Sequence, residues 1–191
     1  MSAGILIFEK NKMDLDYTAA SITVTDATAT DTGQTIVDYM RNRNNFSGWA
    51  TTGSNDAANT ELIIDMGDSY NITDIIMIDH NFKAYTLKYW NGSSYVNFTS
   101  TISVSANADT TKHHNFTQVN TNKIQLIITG AMVTDADKSC AQIIVTQLIG
   151  QFETFPRIKS PTHDKNKKII KMISGKSKVI RNVGLFECTL E

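Results

Sequence analysis

Hydrophobic and polar residues alternate along most of this chain, with short polar stretches between the alternating segments. In residues 20–24, for example, Ile22 and Val24 alternate with polar neighbours. A period of two places every second side chain on the same face of an extended strand, so the pattern predicts half-buried β-strands. The strands predicted from this alternation or from short apolar runs are residues 5–8, 20–24, 61–66, 72–78, 85–90, 95–98, 101–105, 114–119, 123–129 and 142–150.

The segments between these strands carry turn signals. Asn91 and Gly92 tolerate the positive φ angles that a tight hairpin requires. Residues 67–69 predict a turn, residues 35–40 predict one helical turn, and the nearly continuous apolar run of residues 72–78 predicts a strand buried on both faces. Strands that recur about every ten residues indicate an all-β fold, an antiparallel β-sandwich or barrel.

Charge is distributed unevenly along the 191 residues, although the net charge is only −1. Residues 1–156 carry 9 Lys and Arg against 16 Asp and Glu, a balance of −7. Residues 157–191 carry 9 against 3, a balance of +6. A chain of this length accommodates one sizeable domain and a small appendage, so we expect an acidic body with a basic tail.

The basic tail, residues 155–191, predicts a linker followed by a docking arm. Residues 157–168 are polar and poorly periodic, whereas residues 169–173 and 179–190 predict a β-hairpin. Two strands alone are marginally stable in water, so the hairpin is expected to dock on its own sandwich or on another chain. We favour the acidic body of a neighbouring copy, because opposite charges set register and association rate. The residues expected to form this contact are Ile170, Ile173, Lys176, Lys178, Val179, Arg181, Leu185 and Phe186.

Six segments between residues 38 and 150 follow a recognisable order and spacing. They are an Asn-rich loop that ends at Trp49, the strand Glu-Leu-Ile-Ile-Asp-Met-Gly of residues 61–67, the apolar strand of residues 72–78, the hairpin of residues 85–95, and the strands of residues 124–128 and 141–150. In these features the chain resembles the discoidin, or coagulation factor 5/8 type C, family of galactose-binding-like jelly rolls. The resemblance implies that residues 1–154 form an eight-stranded antiparallel jelly-roll sandwich.

The resemblance also implies where a ligand would bind. Members of the family bind sugars, lipid headgroups or proteins through loops at one end of the jelly roll, and sugar-binding members place aromatic, Arg, Asn and His side chains there. The candidate ligand-binding residues in the corresponding loops are Arg41, Arg43, Asn45, His80 and Asn81. Trp49 and Trp90 are further candidates for stacking on a sugar, but Trp49 is better explained as a core residue.

The last part of the chain, residues 173–190, resembles the endings of bacteriophage tail and virion proteins. We therefore predict a non-enzymatic structural component of a phage tail or tail-attachment region, which assembles with copies of itself and with other particle proteins. The N-terminus has no basic leader, so we expect no signal peptide and a location in the virion after synthesis in the host cytoplasm. The alternative is a carbohydrate-binding module that recognises cell-surface glycans.

The sequence contains no pattern that predicts catalysis, nucleic-acid binding or membrane insertion. The tail lacks an aromatic stacking series for nucleic acid, and the apolar runs are too short to cross a bilayer. His113 and His114 are adjacent, so on a strand they point to opposite faces and cannot share a metal. We expect no cofactor. A structural Ca²⁺ held by residues 135–137, or by Asp65 and Asp68, is an alternative, although neither set completes a coordination shell.

Two cysteines are too few for a disulfide framework. Cys140 and Cys188 are expected to be free thiols in a protein made in the cytosol. A single disulfide between them is the alternative.

Overall fold

The computed structural model describes residues 5–26, 37–51, 59–152, 167–171 and 177–181. Its elements are β1 (Ile5–Phe8), β2 (Ser21–Asp26), a 3₁₀ helix (Val37–Arg41), β3 (Trp49–Ala50), β4 (Thr60–His80), β5 (Phe82–Trp90), β6 (Tyr95–Val104), β7 (Lys112–Ala131), β8 (Ser139–Thr146), β9 (Leu148–Phe152), β10 (Lys167–Lys171) and β11 (Ser177–Arg181). The chain divides into two compact units, Ile7–Gly150 and the combination of Met1–Leu6 with Gln151–Glu191. We call Ile7–Gly150 the body.

Two long strands, β4 and β7, run antiparallel through both layers of the body. Their pairing is interrupted between Asp65 and Tyr70. Gly67 lies in this gap with a φ angle of 81°, which glycine adopts without the steric penalty of a Cβ atom. The first half of β4 therefore joins the layer β2–β4–β7–β5–β6, and its second half joins the layer β3–β8–β4–β7.

One hydrophobic core lies between the two layers. Alternate side chains of both halves of β4 contribute to it and are fully buried, namely Leu62, Ile64, Met66, Ile72, Ile75 and Met77. The facing positions of β7, Ile124, Leu126 and Ile128, are buried with them. The predicted all-β antiparallel sandwich is confirmed, because the alternation along each strand matches one buried face per layer.

Residues 72–78 do not form a strand that is buried on both faces, and that prediction is wrong. Ile75 and Met77 are fully buried, whereas Ile76 and Ile78 remain partly exposed. A strand in a two-layer sandwich turns only one face towards the core, so the other apolar side chains are only half-covered.

Several predicted strands are joined or divided in the structure. Residues 61–66 and 72–78 both belong to β4, and residues 114–119 and 123–129 both belong to β7. The turn predicted at residues 67–69 is a bend within β4 rather than a reversal of the chain. The strands predicted at residues 95–98 and 101–105 are joined in β6, which ends at Val104. The strand predicted at residues 142–150 is divided at Gln147 between β8 and β9.

The second unit contains the predicted C-terminal hairpin. β10 pairs antiparallel with β11, from Lys167 opposite Arg181 to Lys171 opposite Ser177. Its first strand begins inside the segment that was expected to be a linker. Of the residues predicted for the docking arm, Ile170, Lys178, Val179 and Arg181 lie on these strands, and Ile173, Lys176, Leu185 and Phe186 lie outside the described residues. Docking of the arm stays a prediction.

Candidate functional site

Arg41, at the end of the 3₁₀ helix, is buried and holds the preceding segment of the body in place. Its Nε donates to the carbonyl oxygen of Met13 at 2.8 Å, and one terminal nitrogen donates to the carbonyl oxygen of Tyr17 at 3.0 Å. The other terminal nitrogen pairs with Asp38 at 2.9 Å. A guanidinium that is 5% exposed and surrounded by these acceptors serves the fold, and it is not presented to an external ligand.

Arg43, two residues later, is exposed and has a φ angle of 59°. Its Nε donates to the buried carboxylate of Asp14 at 2.5 Å, and a terminal nitrogen lies 3.2 Å from Asp16. These carboxylates, with the hydrogen bond to Asp14 first, raise the pKa of Arg43. Lys10 also pairs with Asp16, at 2.8 Å. The cluster therefore balances two positive against two negative side chains.

The segment that follows, residues 42–47, is called the Phe46 loop. Its backbone is held by asparagine side chains: Asn42 Oδ1 accepts from the amide of Asn44 at 2.8 Å, and Asn44 Oδ1 accepts from the amide of Phe46 at 3.0 Å. Asn42 also donates to the hydroxyl of Ser47 at 2.9 Å. These contacts fix a short turn by substituting side-chain oxygens for backbone partners. Asn45 and Phe46 are exposed on this turn, and the ring of Phe46 is fully exposed.

Asn81, between β4 and β5, joins two loops of the body. Its Nδ2 donates to the carbonyl oxygen of Asp137 at 2.6 Å, and its Oδ1 accepts from the amide of Ser139 at 2.8 Å. The backbone carbonyl of Asn81 accepts from the amide of Met132. Both ends of the side-chain amide are therefore engaged in fixing the loop before β8.

His80, at the end of β4, is 1% exposed. Its Nδ1 accepts from the amide of Phe82 at 3.1 Å, so Nε2 carries the hydrogen, and Nε2 has no partner in the described part of the chain. Burial, with a smaller contribution from Lys112, lowers the pKa of His80 to about 4. A buried neutral imidazole packed against Phe82 and Tyr85 is a core residue of this end of the sandwich.

The five candidate ligand-binding residues lie on segments that flank β8, since Trp49, which follows the Phe46 loop, and His80 both pair with Cys140. Arg41 and Arg43 contact the segment of residues 13–17, whereas His80 and Asn81 contact residues 82, 110, 132, 137 and 139. Of the five, Arg43 and Asn45 are exposed, and they belong to the same loop as the exposed ring of Phe46. Phe46 is one of the side chains that the predicted ligand-binding loops offer, but it was not selected among the five site residues, although a large apolar residue in an Asn-rich loop was a visible signal.

The two tryptophans have different environments. Trp49 is fully buried, as expected for a core residue, and pairs through its backbone with Cys140. Trp90 is partly exposed and contacts Tyr95, with ring centroids 5.1 Å apart. The two indoles therefore do not form a common stacking platform.

Both His113 and His114 are engaged in structural contacts. His113 Nε2 lies 2.7 Å from the buried carboxylate of Asp74, and His114 Nε2 lies 2.8 Å from the hydroxyl of Tyr85. Cys140 is a buried free cysteine, and burial raises the pKa of its thiol to about 12. Cys188 lies outside the described residues.

Within the described ranges, no group of three His, Cys, Asp or Glu side chains is arranged to hold a metal ion. Of the residues proposed as calcium ligands, Asp65 pairs with Lys123 at 3.0 Å. In the same ranges, no helix has the length and apolar character required to span a bilayer.

Comparison by sequence finds no relative: no protein-family model matches the chain, and no curated protein matches it. Solved structures do match. The family 32 carbohydrate-binding module of NanJ from C. perfringens, solved with galactose, has a TM-score of 0.58 and 16% identity, covering 74% of this chain and 100% of that module. A chitosan-binding module from a chitosanase/glucanase of Paenibacillus has a TM-score of 0.55 and 13% identity, covering 72% of this chain and 98% of that module.

A GH29 fucosidase from Ruminococcus gnavus, solved with fucose, has a TM-score of 0.56 and 16% identity. The match covers 73% of this chain but only 27% of the fucosidase. Identities at this level show a shared fold. The galactose-binding-like jelly roll implied by the sequence resemblance is therefore confirmed.

Proposed function

We propose that the body is a carbohydrate-binding module and that the Phe46 loop contacts the glycan. The observation that carries the proposal is the fully exposed ring of Phe46, which lies between hydrogen-bonding side chains on a fold shared with modules that bind galactose and chitosan. An exposed aromatic ring offers an apolar face for the C–H groups of a sugar, while neighbouring amides and guanidinium groups bond its hydroxyls.

The Phe46 loop is held by hydrogen bonds from its own side chains. The Asn42 and Asn44 side chains hold the backbone on both sides of Asn45. Gly48 continues the chain directly against β8, where a Cβ atom would lie 3.1 Å from the carbonyl oxygen of Cys140. A loop fixed in this way loses little conformational entropy on binding, which favours affinity.

The charges around Arg43 favour a neutral sugar. Asp14 and Asp16 neutralise Arg43 and its neighbour Lys10, so an anionic sugar gains no net attraction at this place. The terminal nitrogens of Arg43 still carry N–H groups that donate to hydroxyl oxygens.

A glycan array followed by calorimetric titration of the bound glycans tests this proposal. Phe46→Ala is expected to weaken binding about tenfold or more, since loss of a stacked ring removes about 1.5 kcal/mol or more. Asn45→Ala is expected to weaken it by a smaller factor. Ile149→Ala is the matched control, because Ile149 is also exposed and apolar but lies on β9.

Absence of binding across a broad array would contradict the proposed function. Equal affinities of the Phe46→Ala protein and the unchanged protein would contradict the placement of the glycan on the Phe46 loop. Melting temperatures of all variants, measured beside the titrations, show whether each is folded.

The role in a phage particle, the assembly arm and the virion location stay predictions. The assembly arm is inferred from the opposite charge of the body and the tail, and the phage role and virion location from the resemblance of residues 173–190 to the endings of virion proteins. Lys178→Glu combined with Arg181→Glu reverses two charges on β11. If the arm joins copies of the chain, this double variant should form a smaller assembly in solution than the unchanged protein. An unchanged mass, measured by light scattering, would count against assembly through the arm.

A further inference from the structure

The outer face of the β5–β6 hairpin carries two aromatic side chains that do not belong to the core. Tyr85 and Leu87 of β5 are buried, and Trp90 lies out of phase with them on the opposite face. Trp90 is in register with Tyr95 across the hairpin, and the two rings meet at an interplanar angle of 63°. The tryptophan and the tyrosine form an aromatic corner on the outside of the sheet, and both are partly exposed.

Polar side chains continue from this corner across the neighbouring strands. Lys123 of β7 pairs with Asp65 of β4 at 3.0 Å, and Gln125 donates to the carboxylate of Glu61 at 2.5 Å. We call the surface formed by Trp90, Tyr95, Lys88, Asn97, Lys123 and Gln125 the outer aromatic face. Lys88 stands in register with Gln125 on one side and Asn97 on the other.

The charges on the outer aromatic face are balanced. Lys123 and Lys88 are matched by Asp65 and Glu61 on the same face, which leaves no net charge to attract an ionic partner. Burial also raises the pKa of Tyr95, so its hydroxyl is a neutral donor near pH 7. The face therefore offers aromatic rings, amides and a hydroxyl to an uncharged ligand.

The described apolar surface argues against a protein partner at this place. The large exposed hydrophobic residues of the described chain lie on β1, on β9, on the loop before β2, on the Phe46 loop and on the loop before β8. None lies on the outer aromatic face, so Trp90 and Tyr95 lack the exposed apolar surroundings that complete the largely apolar core of a protein interface.

From the ring corner, the flanking hydrogen-bonding groups and the balanced charge, we propose that the outer aromatic face is a second glycan-contact surface, which takes a neutral polysaccharide chain. It is separate from the Phe46 loop, because its residues come from β5, β6 and β7 of one layer, whereas the loop leads into β3 of the other layer. The proposal does not depend on the loop, since different residues carry it.

Tryptophan fluorescence separates this face from the rest of the molecule. The chain contains two tryptophans, and Trp49 is fully buried, so a soluble quencher such as iodide reports mainly on Trp90. The full chain is titrated with three soluble neutral probes: a galactan, a β-glucan and oligosaccharides of N-acetylglucosamine. We expect at least one probe to change the emission of Trp90 and to protect it from iodide.

Trp90→Ala and Tyr95→Ala are expected to weaken binding of that probe about tenfold, whereas Val133→Ala leaves it unchanged. Lys88→Ala, which leaves both rings in place, is expected to weaken it by a smaller factor. Phe46→Ala is expected to retain the Trp90 signal, so failure of the loop proposal and failure of this one give different results.

Three results would overturn the proposal. The first is that none of the three probes changes Trp90 emission or its quenching. The second is that a probe binds with equal affinity to the unchanged protein and to folded Trp90→Ala and Tyr95→Ala proteins. The third is that Trp90→Ala dissolves an oligomer of the chain, which would assign the face to contact between copies.

Discussion

Gly67 is the residue that lets β4 pass from one layer to the other, and replacing it with alanine is expected to destabilise the body strongly. A Cβ atom at this position would lie 2.6 Å from Cβ of Ala19 and 3.0 Å from its carbonyl carbon and oxygen. The φ angle of 81° adds a second penalty, because residues with a Cβ atom rarely adopt it.

The two penalties have separate magnitudes. Placing a non-glycine residue in the left-handed region costs about 1–2 kcal/mol. Forcing an additional methyl group into a packed region costs about 1–3 kcal/mol. The expected loss for Gly67→Ala is therefore about 2–5 kcal/mol, a large part of the roughly 5–15 kcal/mol by which a domain is usually stable.

Two other glycines separate these penalties. Gly92 has a φ angle of 102°, but a Cβ atom there meets no other atom within 4 Å, so Gly92→Ala isolates the backbone penalty. Gly48 has no positive φ, but its Cβ atom would lie 3.1 Å from the carbonyl oxygen of Cys140 and 3.2 Å from Cα of Ala141. Gly48→Ala therefore isolates the steric penalty.

Urea unfolding followed by circular dichroism gives the free energy of unfolding of the unchanged protein and of the three variants. The expected order is that Gly67→Ala destabilises more than either control. If Gly67→Ala lies within about 0.5 kcal/mol of Gly92→Ala, which is the usual error of additivity, the close contact with Ala19 does not matter and the reasoning is refuted.

Two further perturbations test the buried polar residues. The pKa of folded His80 is about 4, below its ordinary value of 6.5. The neutral imidazole therefore contributes fully to the free energy of unfolding above pH 6.5, and this contribution is lost as the pH falls to 4. The loss amounts to roughly 3 kcal/mol. The free energy of unfolding, measured between pH 7 and 4, should therefore fall with pH, and it should fall less steeply in His80→Gln. An equal dependence on pH in both proteins would exclude His80 as its source. Arg41→Ala should lower the free energy of unfolding by about 2–4 kcal/mol, because the carbonyl oxygens of Met13 and Tyr17 lose their donors. Urea unfolding measures that loss, and hydrogen exchange should then increase first in residues 11–20; a variant as stable as the unchanged protein would show that water replaces the guanidinium.

The sandwich was predictable because alternation reports which face of a strand is buried, and burial decides the fold. The same signal does not report where a strand ends. At residues 67–69 the sequence favours a turn, yet β7 bends together with β4, and the pairing resumes beyond the bend. Whether a chain reverses or bends depends on its partner strand, which is distant in the sequence.

The candidate site was less predictable, since polar residues in loops were taken to be exposed. Arg41 is buried by residues 28 and 24 positions earlier in the chain, and Asn81 bonds to residues 56 and 58 positions later. No local pattern carries such long-range contacts. Phe46, by contrast, was identifiable in principle, because an aromatic residue in a polar loop has no strand period that would place it in the core.

Because β4 and β7 each belong to both layers, no plane through the body separates one layer from the other without cutting the backbone. The layers cannot slide apart or melt one after the other, and heat should remove both in a single all-or-none transition. The loops that join the other strands lie outside this continuous frame. Their sequences are thus free to diverge towards new ligands while the frame that carries them stays intact.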